Sequence, residues 1–178
     1  MLAPRKDGDY HIEVGNAMVE ISIDGHRVFV DDDMENIVSS LNWRVRNIRG
    51  KKYVTYCTTK KGKRVHFYLH RYVMNLCKGD GKIVDHINGD SLDNQKANLR
   101  LVDCRQNNLN SAKKKSKHGN RFRGISTRSY GIASQIRING EIKYLGTFQT
   151  DVEAAYFYDL ASIEYHGEFG RRNFLPLM

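Results

Sequence analysis

The stretch Val84–Leu99, VDHINGDSLDNQKANL, decides how the chain is read. A short β-type run ends on an adjacent Asp-His pair. A loop crowded with Asn, Asp and Gly follows, and the chain then enters a second apolar run, Asn98 to Val102. Neighbouring residues on a strand point to opposite faces, so Asp85 and His86 can do different jobs. Loops of this composition are ordinarily only turns, so the meaning of the pair depends on what surrounds it.

Working outward, KIVDHI and NLRLV read as two short strands, and Asp103 reads as the N-cap of a helix, CRQNNLNSA. Residues 82 to 112 are thus strand, long polar loop, strand, helix. Hydrolysis of a phosphodiester needs a water deprotonated near neutral pH and charge neutralised on the phosphate. Histidine, titrating near pH 6.5, is the natural base. A hard divalent cation takes oxygen ligands. His86 is therefore the candidate base and Asp85 a candidate ligand. Gln106, Asn107 and Asn108 offer a second oxygen from the helix, and Asn98 is placed to bond the loop backbone.

Further upstream, residues 17 to 30 alternate around Asp24-Gly25, a hairpin signal. Asp31 to Asp33 are placed to cap a helix with Met34, Ile37, Val38 and Leu41 at helical spacing. YVTYCTT and RVHFYLH are strand-like and joined by a basic turn, and RYVMNLCK follows as a short helix. This region reads as a scaffold with a basic rim, and Trp43 as a core residue. Residues 111 to 120, SAKKKSKHGN, read as a linker whose Lys113, Lys114 and Lys115 can meet phosphate.

Beyond the linker, FRGISTRS, GIASQIRI and EIKYLGTF are three strand candidates, and Asn139-Gly140 is a strong hairpin signal. Thr150 and Glu153 form a capping box opening a helix, with Gly167 suited to its C-cap. The expected product is a three-stranded antiparallel sheet backed by one helix. Strand parity sets Ile132, Ile136 and Ile138 on the helix side. Gln135 and Arg137 lie on the other, opposite Tyr144 and Ile142. The same parity turns Lys143 inward, which leaves snorkelling or a slipped register.

The whole chain has 178 residues with 29 Lys plus Arg against 20 Asp plus Glu, a net +9, a pI near 9.5 and a mean hydropathy of −0.60. Residues 113 to 178 carry +5 of that excess. Such a balance points to a polyanion. Three scattered cysteines make neither a disulfide set nor a four-cysteine zinc site. The N-terminus lacks the apolar core of a secretory signal, and no apolar run approaches a membrane span. The expectation is a cytoplasmic protein, in a host cell if phage-encoded, acting on double-stranded DNA, with no membrane partner and monomeric.

Asp85-His86, Asn98 twelve residues after His86, and Asn107 nine further on resemble the HNH nuclease family, and more narrowly phage-type HNH homing endonucleases of the ββα-metal fold. Leu69-His70-Arg71, VDHINGD, NLRLV and QNNLN carry the resemblance, over roughly residues 35 to 112. It implies that His86 activates water, that Asp85 and Asn107 hold a divalent metal, and that Asn98 braces the loop. Asn108 competes with Asn107, because a one-residue slip exchanges them. An Asn where the family name has its last His implies Mg2+, with Mn2+ as the alternative. His70 and Arg71 would steady the site or touch phosphate.

FRGI, SQIRI, YLGTF, EAAYFYDLA and HGEF resemble the Apetala/ethylene-response-factor DNA-binding domain from Arg121 to Phe174. In that family the sheet lies in the major groove. The resemblance implies DNA contact by Arg123, Arg128 and Arg137, with Tyr130 and Tyr144 standing where the family usually has Trp. Ser126 and Ile142 replace the arginines of plant members, so the plant site preference does not transfer.

The fold class expected is α+β: a nuclease domain over 1–112, a basic linker over 113–120 and a DNA-reading module over 121–178. The activity expected is site-specific, metal-dependent cleavage of DNA. The alternative is a non-cleaving DNA-binding regulator that keeps a degenerate nuclease fold.

Overall fold

Asp24 and Gly25 adopt left-handed φ values of 50° and 73°. That geometry closes a two-residue hairpin between β1 (Met18–Ile23) and β2 (His26–Asp31) with Ile23 opposite His26. The computed structural model describes residues 17–77, 79–111 and 121–174. Lys113, Lys114 and Lys115 lie outside them.

Helix α1 (Asp32–Ser40) buries Met34 and Val38, as its spacing predicts. Asp31 stands at the N-cap but makes no capping bond. Its carboxylate instead accepts the backbone N–H of Lys96 at 2.8 Å, so a residue read as a local cap is used over a long range. Strand β3 (Arg44–Ile48) was not expected, since RVRNI carries too few apolar residues to signal a strand. It forms because Arg49 and Gly50, both at positive φ, turn it back onto β4 (Lys51–Lys60), which pairs in turn with β5 (Lys63–Tyr68). Helix α2 (Leu69–Val73) is shorter than RYVMNLCK suggests and begins two residues earlier. Val28, Val30, Val38, Trp43, Val54, Leu69, Val73 and Leu99 share one apolar core, which ties the N-terminal hairpin to the strands that follow.

Strands β6 (Ile83–His86) and β7 (Leu99–Val102) pair antiparallel, with Asp85 opposite Arg100 and His86 opposite Leu99. Helix α3 (Cys104–Asn110) follows through a complete capping box: Asp103 accepts from the Gln106 N–H and Gln106 accepts from the Asp103 N–H.

The remaining described residues form β8 (Ile125–Arg128), β9 (Gly131–Ile138) and β10 (Glu141–Phe148) in the order β10-β9-β8, with α4 (Asp151–His166) against them. Asn139 and Gly140 make the expected turn. The register pairs Tyr144 with Gln135 and Ile142 with Arg137, and a bulge follows Tyr144. Ile136 is buried against Tyr158 and Ala161 of α4. Lys143 does lie on the helix side: its ammonium donates to the Tyr165 hydroxyl at 2.5 Å and sits 4.4 Å from that ring's centre. It snorkels, and the register stands. The architecture is thus mixed α/β, with several small antiparallel sheets. Among the described residues no helix is long and apolar enough to cross a membrane.

Candidate functional site

A cavity of about 330 Å³ opens where β6, α2, α3 and the start of β4 meet. Asp85, His86, His70, Arg71, Tyr53, Tyr68, Asn107 and Asn110 are among the side chains of its wall. The structure therefore brings together Asp85, His86, Asn107, His70 and Arg71 from the sequence expectations. Asn108 points elsewhere and is exposed.

The loop between β6 and β7 is held from both ends. Asn98 Oδ1 accepts the Asn88 N–H at 3.0 Å, and Asn98 Nδ2 donates to the Asp93 carbonyl at 2.9 Å and to Asn88 Oδ1 at 3.1 Å. Asn98 thus closes the loop on itself. Strand β2 and helix α1 fix it from outside: the Phe29 N–H donates to the Leu92 carbonyl at 3.0 Å, the Phe29 carbonyl accepts the Asn94 N–H at 2.7 Å, and Lys96 pairs with Asp33 of α1 at 2.6 Å. Such anchoring fixes the angle at which His86 leaves the sheet.

Asp85 is buried, and its Oδ2 accepts three donors. Arg100 supplies Nε at 3.2 Å and Nη2 at 3.0 Å, and Asn110 supplies Nδ2 at 2.9 Å. The same Asn110 amide donates to the carbonyl of His86 at 2.8 Å, so the last turn of α3 is stitched to the Asp-His dipeptide. Neither Arg100 nor Asn110 was singled out in the sequence. Arg100 gives no signal of its own: only the pairing of β7 with β6 sets it opposite Asp85. Asn110 lies three residues past Asn107, the same face of a helix, which is the only signal it gives.

His86 is buried, and its ring lies edge-on to His70, with centroids 5.2 Å apart. Burial pushes the His86 pKa down, while the Asn94 amide and the carboxylates of Asp85, Asp93 and Asp90 oppose the fall. Nε2 of His86 and Oδ1 of Asn94 are both buried without a partner in hydrogen-bond geometry, yet Asn94 is close enough to favour the charged ring. His70 packs among Tyr53, Tyr68 and His86. Burial, then the neighbouring His86 and Arg71, push its pKa down to about 3. Arg71 is spent on structure: it pairs with Asp80 at 2.6 Å and donates to the carbonyls of Cys77 and Lys82.

The oxygen donors on this wall suit a hard divalent cation. Asp85 offers a carboxylate, Asn107 and Asn110 offer amide oxygens, and Asn110 Oδ1 is a buried acceptor with no partner. No cysteine lines the cavity. Among the described residues no three His, Cys, Asp or Glu stand close enough together to hold a metal.

The C-terminal candidates sit apart from the cavity. Arg128, Tyr130, Arg137 and Tyr144 are exposed and Gln135 is half-buried. Arg137 Nη1 donates to the Gly140 carbonyl at 2.6 Å, within its own hairpin. Arg123 faces α3 instead, where its guanidinium bonds the Ser111 carbonyl.

Residues 67–109 match the model of a family described as HNH endonuclease. A protein of Acanthamoeba polyphaga mimivirus named "Uncharacterized HNH endonuclease L560" is 36% identical over 110 residues, which are 59% of this chain and 56% of that protein. The chain thus spans about half the length of that relative. No solved structure matches. Residues 67–109, which supply most of the cavity wall, are thus similar to the HNH endonuclease family.

Proposed function

We propose that the protein is a divalent-metal-dependent endonuclease that hydrolyses phosphodiester bonds of double-stranded DNA, with residues 121–178 acting as its Apetala-type DNA-reading module. The observation that carries this reading is one cavity wall that holds Asp85, His86, Asn107 and the unpartnered Oδ1 of Asn110. Asp85 and Asn107, with Asn110 beside them, would hold a Mg2+ or Mn2+ ion in the manner of the ββα-metal nucleases. Bound there, the ion supplies positive charge to the phosphate and the leaving oxygen.

His86 is the base. Its lowered pKa keeps the ring neutral near pH 7. In the neutral ring one nitrogen carries the lone pair that takes the proton of the attacking water. Asn98 holds the loop so that this nitrogen keeps its direction. His70, neutral and packed against His86, adds no charge beside the base.

The basic excess of the chain supplies affinity for phosphates, and base-edge contacts on the β8–β10 sheet supply selectivity. Exposed Arg128, Arg137, Tyr130 and Tyr144 support that assignment. Homing to a single site and monomeric action belong to the same proposal.

The test is nicking of supercoiled plasmid with Mg2+, with Mn2+ and with EDTA. Metal-dependent nicks that vanish in His86→Ala support the reading. Tight DNA binding with no cutting under any divalent ion would replace it with the non-cleaving regulator.

A further inference from the structure

After α4 the chain makes a 3₁₀ turn, Gly167–Phe169, and then runs back across the nuclease motif. The Glu168 carbonyl accepts Arg100 Nη1 at 2.9 Å, and the Arg100 guanidinium lies 4.6 Å above the Phe169 ring. The Arg171 N–H donates to the Leu109 carbonyl of α3 at 3.3 Å. Residues 168–171 therefore form a strap fixed to β7 and to α3. Gly170 lets it pass: a Cβ there would meet Ser162 Oγ at 2.3 Å and His166 Cβ at 2.7 Å.

The strap places the Arg171 guanidinium directly on Gly89. A Cβ on Gly89 would lie 2.3 Å from Arg171 Nη1. Gly89 is in the loop that leaves His86, its N–H donates to the His86 carbonyl at 2.9 Å, and it lines the cavity. Its φ of +78° also excludes ordinary side chains. Among the described residues the Arg171 guanidinium has no ion pair and no hydrogen bond. The acids next to the strap and to Gly89 in sequence are otherwise used: Glu168 faces Arg100 at 3.7 Å, and Asp90 Oδ1 accepts the Leu92 N–H. Arg100, by contrast, has Nε, Nη1 and Nη2 all bonded.

We propose that Arg171 binds a backbone phosphate of DNA at the mouth of the Asp85–His86 cavity, so that the active site is composite and takes one cation from the C-terminal end of the chain. A guanidinium held by its backbone, without a carboxylate partner, next to the catalytic loop is completed by an anion. Its planar fork matches two phosphate oxygens. The proposal rests on the endonuclease reading.

The test uses full-length protein and the variants Arg171→Gln and Arg171→Lys, both confirmed as folded by their melting temperatures. Single-turnover nicking is measured at saturating protein with Mg2+. Binding to a short duplex is measured across a salt series with Ca2+ in place of Mg2+. Arg171→Gln is expected to slow nicking by about 10²–10³-fold, the cost of losing one donor to a developing oxyanion. Its salt slope should fall by about one unit. Arg171→Lys should restore the slope and not the rate. Rate and slope both equal to wild type would overturn the proposal, as would a slower rate with an unchanged slope. If wild type does not nick, the endonuclease reading falls, and the salt slope alone decides Arg171: a fall of about one unit upholds the phosphate contact and no change overturns it.

Discussion

Replacing His70 with phenylalanine should make the folded protein more tolerant of acid. His70, the second residue of α2, has its ring between Tyr53, Tyr68 and His86, at centroid distances of 5.7, 5.4 and 5.2 Å. Burial holds its pKa at about 3, against 6.5 for a free histidine. The folded-state value is depressed, so below pH 6.5 the unfolded chain takes up a proton that the native state refuses. Stability is unaffected at pH 7 and is lost as the pH falls from 6.5 toward 3. At pH 5 the gap is roughly 1.5 pH units, or about 2 kcal/mol at 1.36 kcal/mol per unit. Phenylalanine keeps the ring and its packing and cannot titrate. Urea unfolding of both proteins at pH 7 and pH 5 isolates the effect. Wild type should lose about 2 kcal/mol more than the variant between the two pH values. Equal losses would mean that His70 is protonated in the fold, and the account of a neutral imidazole beside the base would be wrong.

Three other outcomes are expected. His86→Ala should lower plasmid nicking by about 10²–10⁴-fold with DNA affinity nearly intact in a gel-shift titration. The two α3 asparagines should separate by assay: Asn110→Ala leaves the His86 carbonyl and Asp85 short of a buried donor and should cost on the order of 1–3 kcal/mol in urea unfolding. Asn107→Ala should leave stability within about 0.5 kcal/mol and raise the Mg2+ concentration needed for nicking. On the β9–β10 sheet, Arg137→Ala should cost about 1–3 kcal/mol on the preferred duplex and much less on random DNA. Equal losses on both duplexes would make Arg137 a phosphate clamp.

Local signals carried much of this protein into view. Asp24-Gly25 and Asn139-Gly140 close hairpins because their backbone preference is fixed within two residues. Asp103 and Gln106 cap α3 across three, and period-two alternation placed Gln135 beside Tyr144. The Asp85-His86 pair and Asn98 were likewise legible, since their spacing is set by one strand, one loop and the next strand. Strand β3 was not legible: RVRNI has only Val45 and Ile48 as apolar residues, three apart and not alternating, and is a strand because β4 supplies its partners. Asp31, an ordinary cap by sequence, serves a loop 65 residues away. What tertiary structure alone decided is how Asp85 is held. Pairing of β6 with β7 put Arg100 across from it, the last turn of α3 brought Asn110 onto the same oxygen, and the strap after α4 gripped Arg100 from behind. These contacts join residues 15, 25 and 68 positions apart, a separation at which neither helical nor strand periodicity carries information. Burial makes them compulsory, because a carboxylate removed from water must find donors wherever the fold provides them.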